Sequence, residues 1–336
     1  MGDALTLVRA LREPESVRAL DAAGWRAVIG AARAEQLVGT LAARLDGLRL
    51  PGAVERVLAD ARVSAEQGRV AALWEAEMVR RALAPLGRPV VLLKGTAFVA
   101  AGLLAGRGRS VGDTDVLVPR DALAQAERAL LAAGWEWVKP DPYDDEYYRR
   151  WMHELPPMIH RTRDRMIDVH HTILPLTAGP KPDAEALIAA AEPLGNGLFA
   201  LSPDDMVVHA AAHLFADGDL SGGLRNLWDI HCLLTEFGTQ GLEERARLHG
   251  LDEAVARAGR LSHRLFGTEV PGGWRGLRAT DKPFLRRLLA RDGWGRGTRP
   301  ATRFGFYLRG HAMRMPPAML ARHLWIKWRR GGRASG

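Results

Sequence analysis

The chain has 336 residues, enough for one substantial core with a helical annex, and its 47% hydrophobic and 26% charged residues are those of a globular protein. One cysteine, Cys232, excludes an intrachain disulfide framework and a cysteine-based zinc site, and its apolar helical surroundings read as a buried structural thiol. The net charge of +8 is carried almost wholly by Arg, since only five residues are Lys; it permits a nucleotide, nucleic acid or membrane surface as partner and selects none of them.

The first residues lack a basic stretch followed by an apolar run, so no secretory signal is expected. No uninterrupted apolar segment reaches about 18 residues, so no transmembrane helix is expected either. The expected location is cytoplasmic.

Residues 3 to 85 read as helical. Leu5, Val8 and Leu11, then Val28, Leu37, Leu41 and Leu45, recur at three- and four-residue steps, and a long helix runs from Pro51 to about Leu83. Pro85, Gly87 and Pro89 end it. Residues 90 to 93 are an apolar run of strand length. Lys94, Gly95 and Thr96 break that run, a helical segment follows to about residue 104, and an Arg/Gly loop carries Arg107 and Arg109. Asp113 and Asp115 then lead into the apolar residues 116 to 118.

Residues 121 to 133 read as a helix closed by Gly134, and 135 to 138 as a short strand. Residues 141 to 146 are acidic and turn-like, and Tyr147-Tyr148 reads as the start of a strand. Residues 154 to 160 and 165 to 171 make a hairpin whose second arm puts Asp168 and His170 on one face and Ile167, Val169 and His171 on the other. Ser202-Pro203-Asp204-Asp205 starts a helix carrying His209 and His213. A second helix, about 223 to 236, holds Arg225 and Asp229, and two more helices run to about Phe266. From Arg299 onward there are nine Arg or Lys and no Asp or Glu; there Leu320, Leu324, Trp325 and Trp328 share helical spacing with Arg322, Lys327 and Arg329. That basic helix suits packing of its Trp and Leu on the core, or an anionic surface. The expected organisation is a helical region 1–86, a core 87–200, a helical domain 201–290 and a basic segment 291–336.

Side chains at i and i+2 of a strand share a face, so Asp113 and Asp115 sit side by side. An Asp-x-Asp is often no more than a turn aspartate before an edge carboxylate. Here the pair abuts an apolar strand, and Asp168 has the same placement in an Ile-Asp-Val context. Three converging carboxylates repel one another unless a cation lies among them, and oxygen ligands suit Mg²⁺. His209 and His213 have a spacing that can bind zinc, but no glutamate sits beside them as in metalloproteases; the plainer reading is a packed pair.

A strand ending in Gly-Thr, a helix, Asp-x-Asp on a second strand and Asp on a third resembles the DNA polymerase beta-like nucleotidyltransferase superfamily. The finer sequence is similar to its family of uncharacterised nucleotidyltransferases: Leu-Leu-Lys-Gly, an Arg, Asp-x-Asp-Val-Leu-Val, then Ile-Asp-Val-His. The Leu-Arg-Asn-Leu-Trp-Asp-Ile segment at 224–230 is similar as well, and the likeness covers roughly residues 70 to 240. The resemblance implies an α+β fold: a polymerase-beta-like core, a small mixed sheet with helices, flanked by N-terminal and C-terminal helical regions. It implies transfer of a nucleotidyl group from an NTP such as ATP to an acceptor hydroxyl or phosphate. By position, Asp113, Asp115 and Asp168 would bind two Mg²⁺, or Mn²⁺ in their place, with Asp168 the first choice to take the attacking hydroxyl's proton. Gly95 and Thr96 would approach the triphosphate at a helix start. Lys94, Arg107 and Arg109 would contact phosphates, or stand as solvated or carboxylate-paired cations. His170 would position the acceptor, and Arg225 and Asp229, one helical turn apart, would pair and wall the cleft.

The gap from Gly-Thr to Asp113 is longer than usual in the superfamily, and Thr stands where Ser is common. That motivates an alternative: a nucleotide-binding regulatory protein without turnover. The charge and basic tail motivate another, a toxin-like RNA-directed transferase. No segment resembles an acceptor-recognition motif, so small molecules, proteins and RNA all stay open as acceptors, and the oligomeric state is not read from the sequence.

Overall fold

The computed structural model describes residues 4–139, 141–216 and 218–314. The Leu320, Trp325 and Trp328 helix expected in the basic tail lies outside these residues.

Four helices open the chain: α1 (Leu5–Arg12), α2 (Ala22–Ala34), α3 (Val38–Arg44) and α4 (Gly52–Leu83). Of the three- and four-residue steps read from the sequence, Val8, Leu11, Val28, Leu37, Leu41 and Leu45 are buried in one continuous core, while Leu5 is exposed and Leu7 takes its place in the core. The long helix α4 then packs on α5 (Lys94–Ala100), α6 (Leu123–Ala132) and the strand β2 (Asp113–Leu117).

Among the described residues the sheet is mixed and has seven strands. The others are β1 (Val91–Leu92), β3 (Trp135–Trp137), β4 (Met158–His160), β5 (Met166–His170), β6 (Glu192–Pro193) and β7 (Phe199–Ala200), and the order is β3-β4-β5-β2-β1-β7-β6. Central β2 runs antiparallel to β1 and parallel to β5. The register aligns Asp115 with Asp168 and Leu117 with His170. Neighbours in register share a face, so Asp113, Asp115, Asp168 and His170 rise from the same side of two adjacent strands. Thr114 and Val116 point into the opposite packed layer and are buried.

Several expectations change. Tyr147-Tyr148 is not in a strand but in helix α7 (Pro142–Trp151). The acidic run pairs along that helix, Asp145 with Arg149 at 2.8 Å and Glu146 with Arg150 at 3.5 Å, which is what i,i+4 spacing supplies and a turn would not. The helix after β1 begins at Lys94, so Lys94, Gly95 and Thr96 form its first turn rather than a break before it. The short β6 and β7 carry no alternating pattern; β7 pairs parallel with β1 and antiparallel with β6. In the β4–β5 hairpin, Pro156-Pro157 interrupts the ladder, which resumes where Glu154 bridges His170.

Helices α8 (Ala184–Ala189), α9 (Pro203–Ala216), α10 (Gly223–Phe237), α11 (Leu242–Leu248), α12 (Asp252–Phe266), α13 (Lys282–Leu288) and α14 (Pro300–Arg314) follow. Helices α9, α10 and α12 pack on one another, and α10 meets the loop before β2. That loop is pinned to the N-terminal helices by backbone contact. A Cβ at Gly39 would strike the Gly108 carbonyl oxygen, and a Cβ at Gly108, whose φ is +65°, would strike the Gly39 carbonyl oxygen. Cys232 is buried in α10, and burial pushes its thiol up to about 12. Among the described residues, no helix is long and apolar enough to cross a membrane.

Candidate active site

The carboxylates of Asp113, Asp115 and Asp168 lie together, each offering an oxygen within 4.8 Å of the others. Asp113 is exposed, Asp168 half-buried and Asp115 buried. They line a cleft of about 680 Å³ that also takes Lys94 and Gly95 from the start of α5, Arg109 from the loop and Arg225 from α10. A larger cavity, about 1260 Å³, opens around His171 and Phe199; the carboxylate trio does not line it.

Asp115, the buried one of the three, is held from two directions. Its Oδ1 accepts from Lys94 Nζ at 2.7 Å and contacts His170 Nε2 at 3.0 Å. Burial alone would raise its pKa, but the Lys94 ammonium and the His170 contact outweigh it and hold the carboxyl well below the usual range. Lys94 sits in the left-handed region, φ +49°, which costs a residue with a Cβ about 1 kcal/mol. Its ion pair and the Leu93 N–H donated to the Asp115 carbonyl at 2.9 Å hold the turn there. Burial pushes His170 down, with the Lys94 charge adding to it and Asp115 opposing.

Thr96 is buried, and its hydroxyl donates to the Asp113 carbonyl at 3.2 Å, so it ties α5 to the strand that bears the aspartates. Gly95 lies beneath the Arg109 side chain; a Cβ there would strike the Arg109 Nε. Arg109 pairs with Asp229 rather than with the aspartate trio. Asp229 also accepts from Arg225 at 2.7 Å, the i,i+4 pair the sequence suggests, and Arg225 donates to Thr40 Oγ1 at 2.6 Å. Thr40 in turn donates to the Arg107 carbonyl at 3.4 Å, while the Arg107 side chain is exposed and is not part of the cleft lining. A wall of paired charge therefore links the N-terminal helices, the loop and α10 along one side of the cleft.

His209 is buried beneath this floor and held well below its ordinary pKa by burial, with Lys94 and His213 adding to it. Helix α9 brings His213, but not His209, to the cleft lining. Neither belongs to a cluster of metal-ligating groups among the described residues.

Sequence reasoning missed His153, Glu154, Gln36 and Asn226, and read His213 as half of a packed pair; all five line the cleft. Glu154 had a signal, because the expected hairpin already set it opposite the end of the His170 arm. Gln36 and Asn226 had none, since helix packing alone brings them in.

The trio can do one thing that paired surface carboxylates cannot: gather negative charge around a point where oxygen ligands converge, which fits a hard divalent cation. No curated protein matches the chain. A family described as uncharacterised nucleotidyltransferase matches residues 21–267, reaching beyond both ends of the likeness seen in the motifs. That span is most of the sequence and contains every residue of the cleft named above, and the chain belongs to this nucleotidyltransferase family.

Proposed function

We propose that the protein transfers a nucleotidyl group from an NTP to an acceptor hydroxyl or phosphate on a polymerase-beta-like core. The observation that carries this is the convergence of Asp113, Asp115 and Asp168 on two parallel strands at the base of a cleft with cationic walls. The three carboxylates would hold Mg²⁺, or Mn²⁺, which when bound neutralises phosphate charge and orients the displacement.

The chain's own residues do the rest. Lys94 stands 2.7 Å from Asp115 and can turn its ammonium to a phosphate oxygen without leaving the cleft. Gly95 allows Arg109 to lie flat over the first turn of α5, which places a guanidinium beside the incoming triphosphate. Arg225 and Asp229 keep Arg109 in place. Asp168, the less buried of the two aligned aspartates, takes the proton from the acceptor. His170 orients Asp115 through its Nε2 contact.

The test is pyrophosphate release from each NTP in the presence of Mg²⁺ and an acceptor panel of small hydroxyl compounds, proteins and RNA. Release that disappears in Asp113→Asn is the expected result. No NTP binding, with Asp113→Asn indistinguishable from the parent, sinks the reading. NTP binding without release selects the regulatory alternative.

A further inference from the structure

Next to the aspartate trio lies a second cluster of different chemistry. His153, Glu154 and His170 each offer a ligand atom within 4.8 Å of the others. Glu154 Oε2 is 3.3 Å from His170 Nδ1 and 3.7 Å from His153 Nε2, so one carboxylate oxygen is flanked by two imidazole nitrogens. His153 and His170 are nine-tenths or more buried, and the rings stand 5.1 Å apart. His153 and Glu154 line the cleft.

His170 decides how this cluster is read. Its Nε2 lies 3.0 Å from Asp115 Oδ1, a distance that two lone pairs would not tolerate, so the proton sits on Nε2 and is donated to Asp115. A ring carrying its single proton there presents a lone pair at Nδ1. That atom is buried, makes no hydrogen bond among the described residues and faces the Glu154 carboxylate. A lone pair and an anionic oxygen face each other comfortably when a cation lies between them. An imidazole that gives one N–H to a carboxylate and its other nitrogen to a metal is the usual arrangement of a ligating histidine.

The spacing fits as well. Ligands about 2.1 Å from a tetrahedral ion stand about 3.4 Å from one another. The two nitrogen-to-oxygen distances here, 3.3 and 3.7 Å, bracket that edge.

We propose that His153 and His170 with the Glu154 carboxylate form a separate binding site for a nitrogen-preferring divalent cation of the Zn²⁺ class, three protein ligands with a fourth position toward the cleft. Two imidazoles and one carboxylate select such an ion over Mg²⁺, which the all-oxygen trio suits. The backbone pre-forms the set: Glu154 bridges His170, and the His171 N–H donates to the His153 carbonyl at 2.8 Å. This site stands whether or not nucleotidyl transfer occurs.

The full chain, stripped with chelator, is titrated with Co²⁺ as a spectroscopic stand-in for Zn²⁺, with excess Mg²⁺ present to fill the trio. The expected result is one equivalent bound with the intense visible bands of a four-coordinate ion, displaced by Zn²⁺. Glu154→Gln, which keeps the side chain's shape, and His153→Ala each weaken binding at least about tenfold, while Asp113→Asn leaves it unchanged. Absence of those bands overturns the proposal, and so does binding that both variants retain or that Asp113→Asn abolishes. Should His153→Ala lower the melting temperature of the metal-free chain, the Glu154→Gln titration decides.

Discussion

Asp115 and Asp205 are both buried carboxylates held by a cation and an imidazole, yet they are built for different ends. Asp205 at the start of α9 accepts both arms of Arg245 at 2.6 Å, Ser202 Oγ at 2.8 Å and contacts His249 Nε2 at 3.2 Å. Donors reach both of its oxygens, and among the described residues it belongs to no group of three metal-ligating side chains. Burial would raise its pKa, but the His249, Arg245 and Ser202 contacts hold it below the usual range. Asp115 has two such partners, both on Oδ1, and two more carboxylates beside it. The first is a closed knot between helices; the second leaves negative charge gathered at a cleft. Burial and a depressed pKa are common to Asp115 and Asp205; what differs is the balance of donors to carboxylates around them.

The sharpest way to break this comparison is to neutralise each cluster in turn. Asp113→Asn or Asp115→Asn is expected to cut pyrophosphate release about a thousandfold, since a metal-borne charge interaction contributes several kcal/mol to the transition state. For exposed Asp113 the melting temperature should hardly move. Asp205→Ala should do the reverse: it leaves Arg245 and His249 without their partner, lowers stability by about 3 kcal/mol in denaturant titration, and keeps activity per folded molecule. If Asp205→Ala abolished turnover at unchanged stability, the division would be wrong.

Asp229→Asn tests the wall between the two. It weakens the pairing of Arg109 and buried Arg225 together, with an expected loss of about 2 kcal/mol and a rise in the KM for NTP larger than the fall in kcat. An unchanged KM would remove Arg109 from the triphosphate site. The last effect is confined to acid and centres on His231 of α10. Burial pushes His231 down from 6.5 to about 4, as it does His171. The unfolded imidazole takes its proton near pH 6.5 and the folded one only near pH 4. Stability therefore falls as pH drops through that window, by about 1 kcal/mol per unit for each histidine, and does not change on their account above it. Thermal melting of His231→Gln from pH 7 to 4 should show a shallower fall than the parent.

The part of the site legible in the sequence was the part written on strands. Asp113, Asp115 and Asp168 interrupt apolar runs, and the two-residue period put His170 on their face before any register was known. The helical halves were legible from their three- and four-residue steps. What could not be read was which helix meets which strand. Arg109 found Asp229, remote in sequence, because α10 packs on the loop, and no local pattern encodes that meeting. The acids of α7 read alone suggest a turn; only with their arginine partners one helical turn later do they mark a helix. His153 lies one residue before the expected hairpin arm, and no local pattern shows that it and Glu154 face the cleft.

The backbone contact between Gly39 and Gly108 has a consequence for tolerance to change. Neither glycine carries chemistry, and neither touches the aspartates. A methyl group on either would push α3 away from the loop that presents Arg109, opening the cleft from behind. In a saturation library scored for turnover, these two positions should be as unforgiving as the carboxylates themselves. Exposed Arg107, one step along the chain, should accept nearly any residue.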